Sequence, residues 1–181
     1  MQRENSIEQP EQEEDDRDEI AEIVSSEKIR ATCTKIDFRP DVVLEEQQRW
    51  QKQDPDYPLE HYRCLLTRGN RELLVYQTIG ADYPDEDEAQ TDLYQDSRDL
   101  LLSPEFLLES AALKANSIDE ASTVDEWVAN GYCETDTPNE TYQHYLSIRQ
   151  GLNELLGDDL YRIVIRLAVE AEIERDEESE E

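Results

Sequence analysis

The chain has 181 residues and a formal net charge of -30, with 47 acidic against 17 basic side chains. That length suits one domain with a sizeable core and is short for two. No run nears the roughly 18 apolar residues of a membrane span, and the polar, acidic N-terminus has neither the apolar stretch of a secretory signal nor the basic character of a transit peptide, so a cytoplasmic protein with no membrane partner is expected.

Residues 1–22 hold ten acids and two arginines. So few apolar side chains cannot offset ordering entropy, which predicts an acidic disordered tail with a helical turn or two around Asp18–Ser25. A single domain is expected over residues 23–172. Ile29–Phe38 alternates and is rich in β-branched residues, predicting a strand that Arg39-Pro40 ends. Val42–Lys52 reads as a short helix or an extended crossover anchored by Trp50, and Asp54–Pro58 as a loop. His61–Thr67 and Glu72–Gly80 form a hairpin about Arg68-Gly69-Asn70-Arg71, where Gly and Asn tolerate positive φ. One apolar face, including Cys33, Leu65, Leu73 and Val75, then requires a helical cover.

Ala81–Gln95 is an acidic loop by composition. A helix follows, capped by Asp96 or Ser97 and restarted at Pro104, with Leu107, Leu108, Ala111 and Ala112 on its buried face. Thr123-x-x-Glu126 is a capping box for a short helix that buries Trp127 and Val128 and stops at Gly131. Thr137-Pro138-Asn139-Glu140 is a second helix start. Tyr142, Tyr145, Leu146, Ile148, Leu152, Leu155 and Leu156 give that helix one apolar face, and Gly157 is placed for a left-handed cap. Trp127 is expected to fill the angle between these two helices. A last helix, capped by Asp158, carries a stripe from Leu160 through Ile163 to Ala171 and frays into an acidic tail over 173–181; a strand over Tyr161–Leu167 is the weaker reading. The fold class is therefore α+β: a small antiparallel sheet of about three strands covered by four or five helices, with acidic disordered termini.

Chemistry is harder to find. Cys33, Cys64 and Cys133 are odd in number and widely spaced, which predicts free thiols. A zinc site joining them to His61 and His144 lacks paired ligand spacing. There is no nucleotide loop, GxSxG elbow or HExxH, and with only five glycines a phosphate cradle is disfavoured. His61 and His144 lie beside tyrosines and read as interfacial imidazoles in preference to general bases. Asp85–Glu88 lacks the ordered spacing of a calcium loop. No catalytic residue, cofactor or metal is expected.

Glu126-Trp127, Gly131-Tyr132, Glu140-Thr141-Tyr142 and Leu155-Leu156-Gly157-Asp158 together resemble a block found in small proteins carried by phages and prophages. In that family a W…GY(D/E)…(A/E)xxTY…LxxLLGD pattern follows a β-hairpin and a short helix. The resemblance spans roughly Arg30 to Leu160. It implies a mobile-element origin and no catalytic activity. The acidic extensions at both ends and the acidic insert near position 85 depart from the pattern.

The acid is segregated. Residues 23–81 balance nine acids with nine bases, whereas 1–22, 105–140 and 154–181 each carry -8 and 82–99 carry -7. Solvation alone asks for roughly two to eight net charges, and adaptation to high salt would not spare one segment. Imitation of nucleic acid is the third explanation, since thirty carboxylates match the phosphates of about fifteen base pairs. With the phage-like resemblance, this predicts an anti-defence protein. It would mimic DNA at the DNA-binding surface of a host CRISPR or restriction nuclease complex, without contacting nucleic acid itself. The expected contact residues are Asp82, Asp85, Glu86, Asp87, Glu88, Glu120, Asp125, Glu126, Glu134 and Asp136. The alternative is a phage accessory or adaptor protein that binds a host protein through the charge-balanced β segment.

Overall fold

A computed structural model describes residues 15–53, 59–80, 99–131 and 137–179. The elements in chain order are α1 (Asp15–Ser26), β1 (Arg30–Ile36), α2 (Leu44–Gln53), β2 (Leu59–Arg68), β3 (Arg71–Gly80), α3 (Pro104–Asp119), α4 (Val124–Ala129), α5 (Pro138–Leu156) and α6 (Asp158–Ser179). The three strands form one antiparallel sheet in the order β1-β2-β3. This is the α+β architecture that the alternation and helical periodicities imply.

The hairpin turns on Gly69, whose φ of 63° is the left-handed geometry that glycine adopts without strain. Register then decides which face is buried. Cys33, Cys64 and Val75 align across the sheet, as do Ala31, Leu66 and Leu73. Cys64 and Leu66 are wholly buried, whereas Leu65 pairs with Thr32 and Leu74 on the opposite, partly exposed face. Leu65 is thus one residue out of phase with the core expected of it, as the period of two requires. Cys33 and Cys64 are free thiols on adjacent strands; Cys133 lies outside the described residues.

Helices α3, α5 and α6 pack on one another, and α5 lies along β3. Leu107, Leu108, Ile148, Leu152, Leu155, Val164 and Leu167 join the inner sheet face in one core. At Gly151 an added β-carbon would stand 2.6 Å from Leu73 Cδ1, so a larger residue there would require the Leu73 side chain to shift. Arg68, beside the hairpin turn, donates to the Leu155 and Leu156 carbonyls and also holds Glu27. It thereby satisfies the C-terminal carbonyls of α5 that have no helical partner.

Both tail boundaries need correction. Residues 15–22 belong to α1, where Ile20 is buried at 1% exposure with Val24 in the core and Ile23 packed against it. Three apolar residues at helical spacing outweigh the surrounding acid once α6 offers them a surface. At the other end, α6 runs on to Ser179. Ile163, expected in its buried stripe, is 40% exposed, as is Val128 of α4 at 42%.

The α4 box forms: Thr123 Oγ1 accepts from the Glu126 amide, and Glu126 reaches back to the amide of Ser122. Thr137, by contrast, makes no side-chain cap bond, and Pro138 alone marks that start. Gly157 takes a positive φ of 85° but with ψ of 160°, an extended exit in place of a left-handed cap. Ser103 caps α3 by accepting from Phe106; the expected caps Asp96 and Ser97 lie outside the described residues.

Trp127 is fully buried, edge-on to Tyr142 and Tyr145, with its indole N–H donating to Ser117. Trp127→Ala should cost about 3–5 kcal/mol, read as a lowered melting midpoint. An unchanged melting curve would show that the α3–α4–α5 corner does not depend on this ring.

Candidate functional site

Of the ten carboxylates expected to bind a partner, Glu120, Asp125 and Glu126 are described, and all three are exposed, Glu120 just after α3 and the other two in the first turn of α4. Asp82, Asp85, Glu86, Asp87, Glu88, Glu134 and Asp136 lie outside the described residues. Sequence proximity alone thus gathers these three, with Glu126 also engaged as a cap.

The helices add an ordered acidic surface, part of which the sequence reading assigned to tails. Glu170, Glu172, Asp176 and Glu177 are exposed on the second half of α6, and Glu19 and Glu22 on α1, which packs against it. The last turn of α6 contains no basic residue. Carboxylates there oppose the negative end of the helix dipole, so their placement is adverse to helix stability. Other acids are engaged internally: Asp119 with Arg149 and the Tyr161 hydroxyl, Glu60 with Lys35 and Tyr62.

A polar network links both histidines of the chain. Arg39 grips Asp41 with two bonds, Nε to Oδ1 at 3.0 Å and Nη2 to Oδ2 at 2.6 Å. His144 Nε2, on α5, lies 3.0 Å from Asp41 Oδ2. Arg39 Nη1 donates to Thr78 Oγ1 at 3.1 Å, and His61 Nδ1 is 2.9 Å from the same hydroxyl. The loop carrying Arg39 and Asp41 is fixed by Gln47, a buried α2 residue that accepts from the Arg39 amide and donates to the Arg39 and Val42 carbonyls.

Burial alone would raise the Asp41 carboxyl, but hydrogen bonds from His144 and Arg39, with their charges, hold it well below the usual carboxylate range. His61 is lowered by burial and by Arg39, against the pull of Asp41. An Asp–His contact orients an imidazole, and here the Asp is saturated by Arg39. The arrangement is a fixed electrostatic floor.

That floor underlies a cavity of about 310 Å³ lined by Arg39, Asp41, Val42, Val43, Trp50, Lys114, Thr137, Glu140, Thr141, His144 and Tyr145. Lys114 reaches it from α3, with its ammonium 5.9 Å from the centre of the Tyr145 ring. As a residue Lys114 is half-buried. Desolvation of the ammonium, then the Arg39 charge, lowers its pKa to about 8. Among the described residues no cluster of three or more His, Cys, Asp or Glu side chains could hold a metal ion, and no described helix is long and apolar enough to cross a membrane.

Comparison with models of protein families, with curated proteins and with solved structures finds no match for this chain. The likeness to phage-carried proteins therefore rests on its quoted residues alone.

The network escaped the sequence reading because its members are far apart along the chain. Asp41 and His144 carry no shared spacing, and each looks ordinary among its neighbours. The one available signal was that Arg39-Pro40-Asp41 places a cation and an acid at the end of a strand.

Two stability measurements follow from the charges. Asp41 has a depressed folded pKa, so its contribution is present above about pH 4 and lost as pH falls through the lower folded value. Asp41→Asn should cost about 3 kcal/mol at neutral pH by stranding Arg39, with the gap from the parent closing below about pH 4. Lys114 is the reverse case. Its folded pKa of about 8, against an ordinary 10.5, means the folded state carries a penalty below pH 8 that fades as pH rises toward 10.5. Lys114→Met should therefore be more stable than the parent at pH 7 by about 1–3 kcal/mol, and the two should converge in alkaline buffer. Urea unfolding at several pH values measures both.

Proposed function

We propose that this protein is an anti-defence inhibitor that acts by binding, presenting ordered carboxylates to the DNA-binding groove of a host nuclease complex. The observation that carries the reading is the exposed acid on the second half of α6, an ordered helix against which α1, with exposed Glu19 and Glu22, packs. The 22 residues of α6 extend about 33 Å at 1.5 Å per residue, comparable to one turn of duplex DNA. Carboxylates on a rigid helix can meet fixed Arg and Lys partners as charge-assisted contacts, and the total charge steers the encounter. The phage-like residue pattern and the segregated charge point the same way. The setting would be the host cytoplasm, and the protein itself would bind no nucleic acid.

A second reading has its own observation. The outer sheet face holds Leu65, Leu74 and Tyr76 partly exposed beside exposed Arg63, and none of these belongs to the core cluster. An adaptor for a host protein would use that face.

Immobilised protein exposed to a bacterial lysate should retain a DNA-binding enzyme that duplex DNA and moderate salt release. Converting Glu170, Glu172, Asp176 and Glu177 to amides should weaken that capture by about tenfold or more. A second variant would neutralise Asp82, Asp85, Glu86, Asp87 and Glu88, and a third Glu120, Asp125, Glu126, Glu134 and Asp136. Deleting residues 1–14 should matter less, because charges beyond a Debye length of about 8–10 Å act only by steering. The deletion must stop there, since Ile20 belongs to the core. Retention that none of these changes weakens, or that DNA fails to release, would leave the outer sheet face as the interaction surface.

A further inference from the structure

The cavity above Asp41 is not part of the acidic surface, and its chemistry is of a different kind. Its walls combine two aromatic rings, Trp50 and Tyr145, with Val42 and Val43, and its charged groups converge from three separate elements. From this arrangement we infer that the cavity binds a small monocarboxylate with a planar apolar body, the carboxylate meeting Lys114 and the ring lying against Trp50 and the valines.

Four observations carry the assignment. The volume of about 310 Å³ is at the lower end of small-molecule sites and fits a ligand of one ring. Lys114 makes no ion pair among the described residues, and a desolvated ammonium without a counter-ion is a cost that an arriving carboxylate removes. Asp41 cannot fully serve as that counter-ion, because Arg39 occupies both of its oxygens and His144 shares one. Finally, Thr137, Glu140 and Thr141 place the first turn of α5 on the cavity wall, where the positive end of a 19-residue helix favours an anion.

The charge balance selects among anions. Among the described lining residues Arg39 and Lys114 offset Asp41 and Glu140, leaving the positive end of α5 as the surplus. A phosphate dianion would face Glu140 and Asp41 with too little positive charge, whereas a single carboxylate is matched. The titratable groups that face Lys114 here are Arg39, Asp41, Glu140, His144 and Tyr145. Asp41 is held well below the usual carboxylate range, so weakening of binding beyond about pH 8 reports the loss of the Lys114 proton.

Benzoate is the probe, with benzamide as its neutral isostere and phenyl phosphate as the dianion. Titration calorimetry on the full-length protein at pH 7 should give benzoate a Kd below about 1 mM, with benzamide and phenyl phosphate each at least about tenfold weaker. Trp50 fluorescence should respond to benzoate, and Trp50→Phe should abolish that response while the heat of binding persists. Lys114→Met should weaken benzoate by about tenfold or more and leave benzamide unchanged. The benzoate–benzamide comparison on the parent needs no variant, so a folding defect cannot obscure the result. Equal binding of benzoate and benzamide, tighter binding of phenyl phosphate, undiminished benzoate affinity in Lys114→Met, or no benzoate heat up to about 10 mM would each overturn the assignment.

Discussion

Helix α5 lies on β3 so closely that a β-carbon at Gly151 would come within 2.6 Å of the Leu73 side chain. The rest of the molecule is referenced to that contact. It sets Leu152 and Leu155 into the inner sheet face, brings the C-terminal carbonyls of α5 to Arg68, and swings Tyr142 and Tyr145 against Trp127. It also delivers His144 to Asp41 on a loop more than a hundred residues earlier. A larger residue at 151 would first have to displace the end of the Leu73 side chain, which is itself buried in the core. Close packing makes such a displacement a collective event, because neighbouring side chains have no slack to absorb it.

The parts of the fold that were legible in the sequence are those whose evidence is local. The hairpin announces itself through Gly69-Asn70 between two β-type runs, and α4 through Thr123 and Glu126, three residues apart. Trp127 was readable because it sits on the short helix that Thr123 opens, close before the helix start at Pro138. Leu65 was misread because a one-residue error reverses a strand's faces, and Leu66 on its other side is equally apolar. The ends were misread for another reason. Composition counts acids, whereas α1 is decided by Ile20, Ile23 and Val24, whose value depends on a partner helix about 140 residues away. The Arg39–Asp41–His144 site shares that difficulty in stronger form, since no spacing ties its members together.

A chain carrying -30 repels itself, and the fold manages that load by keeping most of its acid off the core. Glu46 and Glu109 are buried as well, and Asp41 shows one set of terms on which a carboxylate is enclosed: two bonds from Arg39, one contact with His144, and a loop fixed by Gln47. Lys114 has no such arrangement. Its ammonium is desolvated beside another cation, which lowers its proton affinity where Asp41's is lowered by support. The two groups thus move in the same direction on the pH scale for opposite physical reasons. One is stabilised in its charged form, and the other is deprived of it.

The packing of α1 on α6 has a bearing on how the protein folds. Ile20 and Val24 share a core with Val164 and Leu167, about 140 residues later in the chain. Closing so long a loop carries an entropic cost that must be met before the contact rewards it. A 12-residue helix is marginal alone in water, so α1 depends on helices α3 and α6 having formed to receive it. The hairpin of β2 and β3, by contrast, closes over a two-residue turn and needs no distant partner. The order of assembly is therefore written into the sequence separations: the sheet is a local event, and the first helix is a late one.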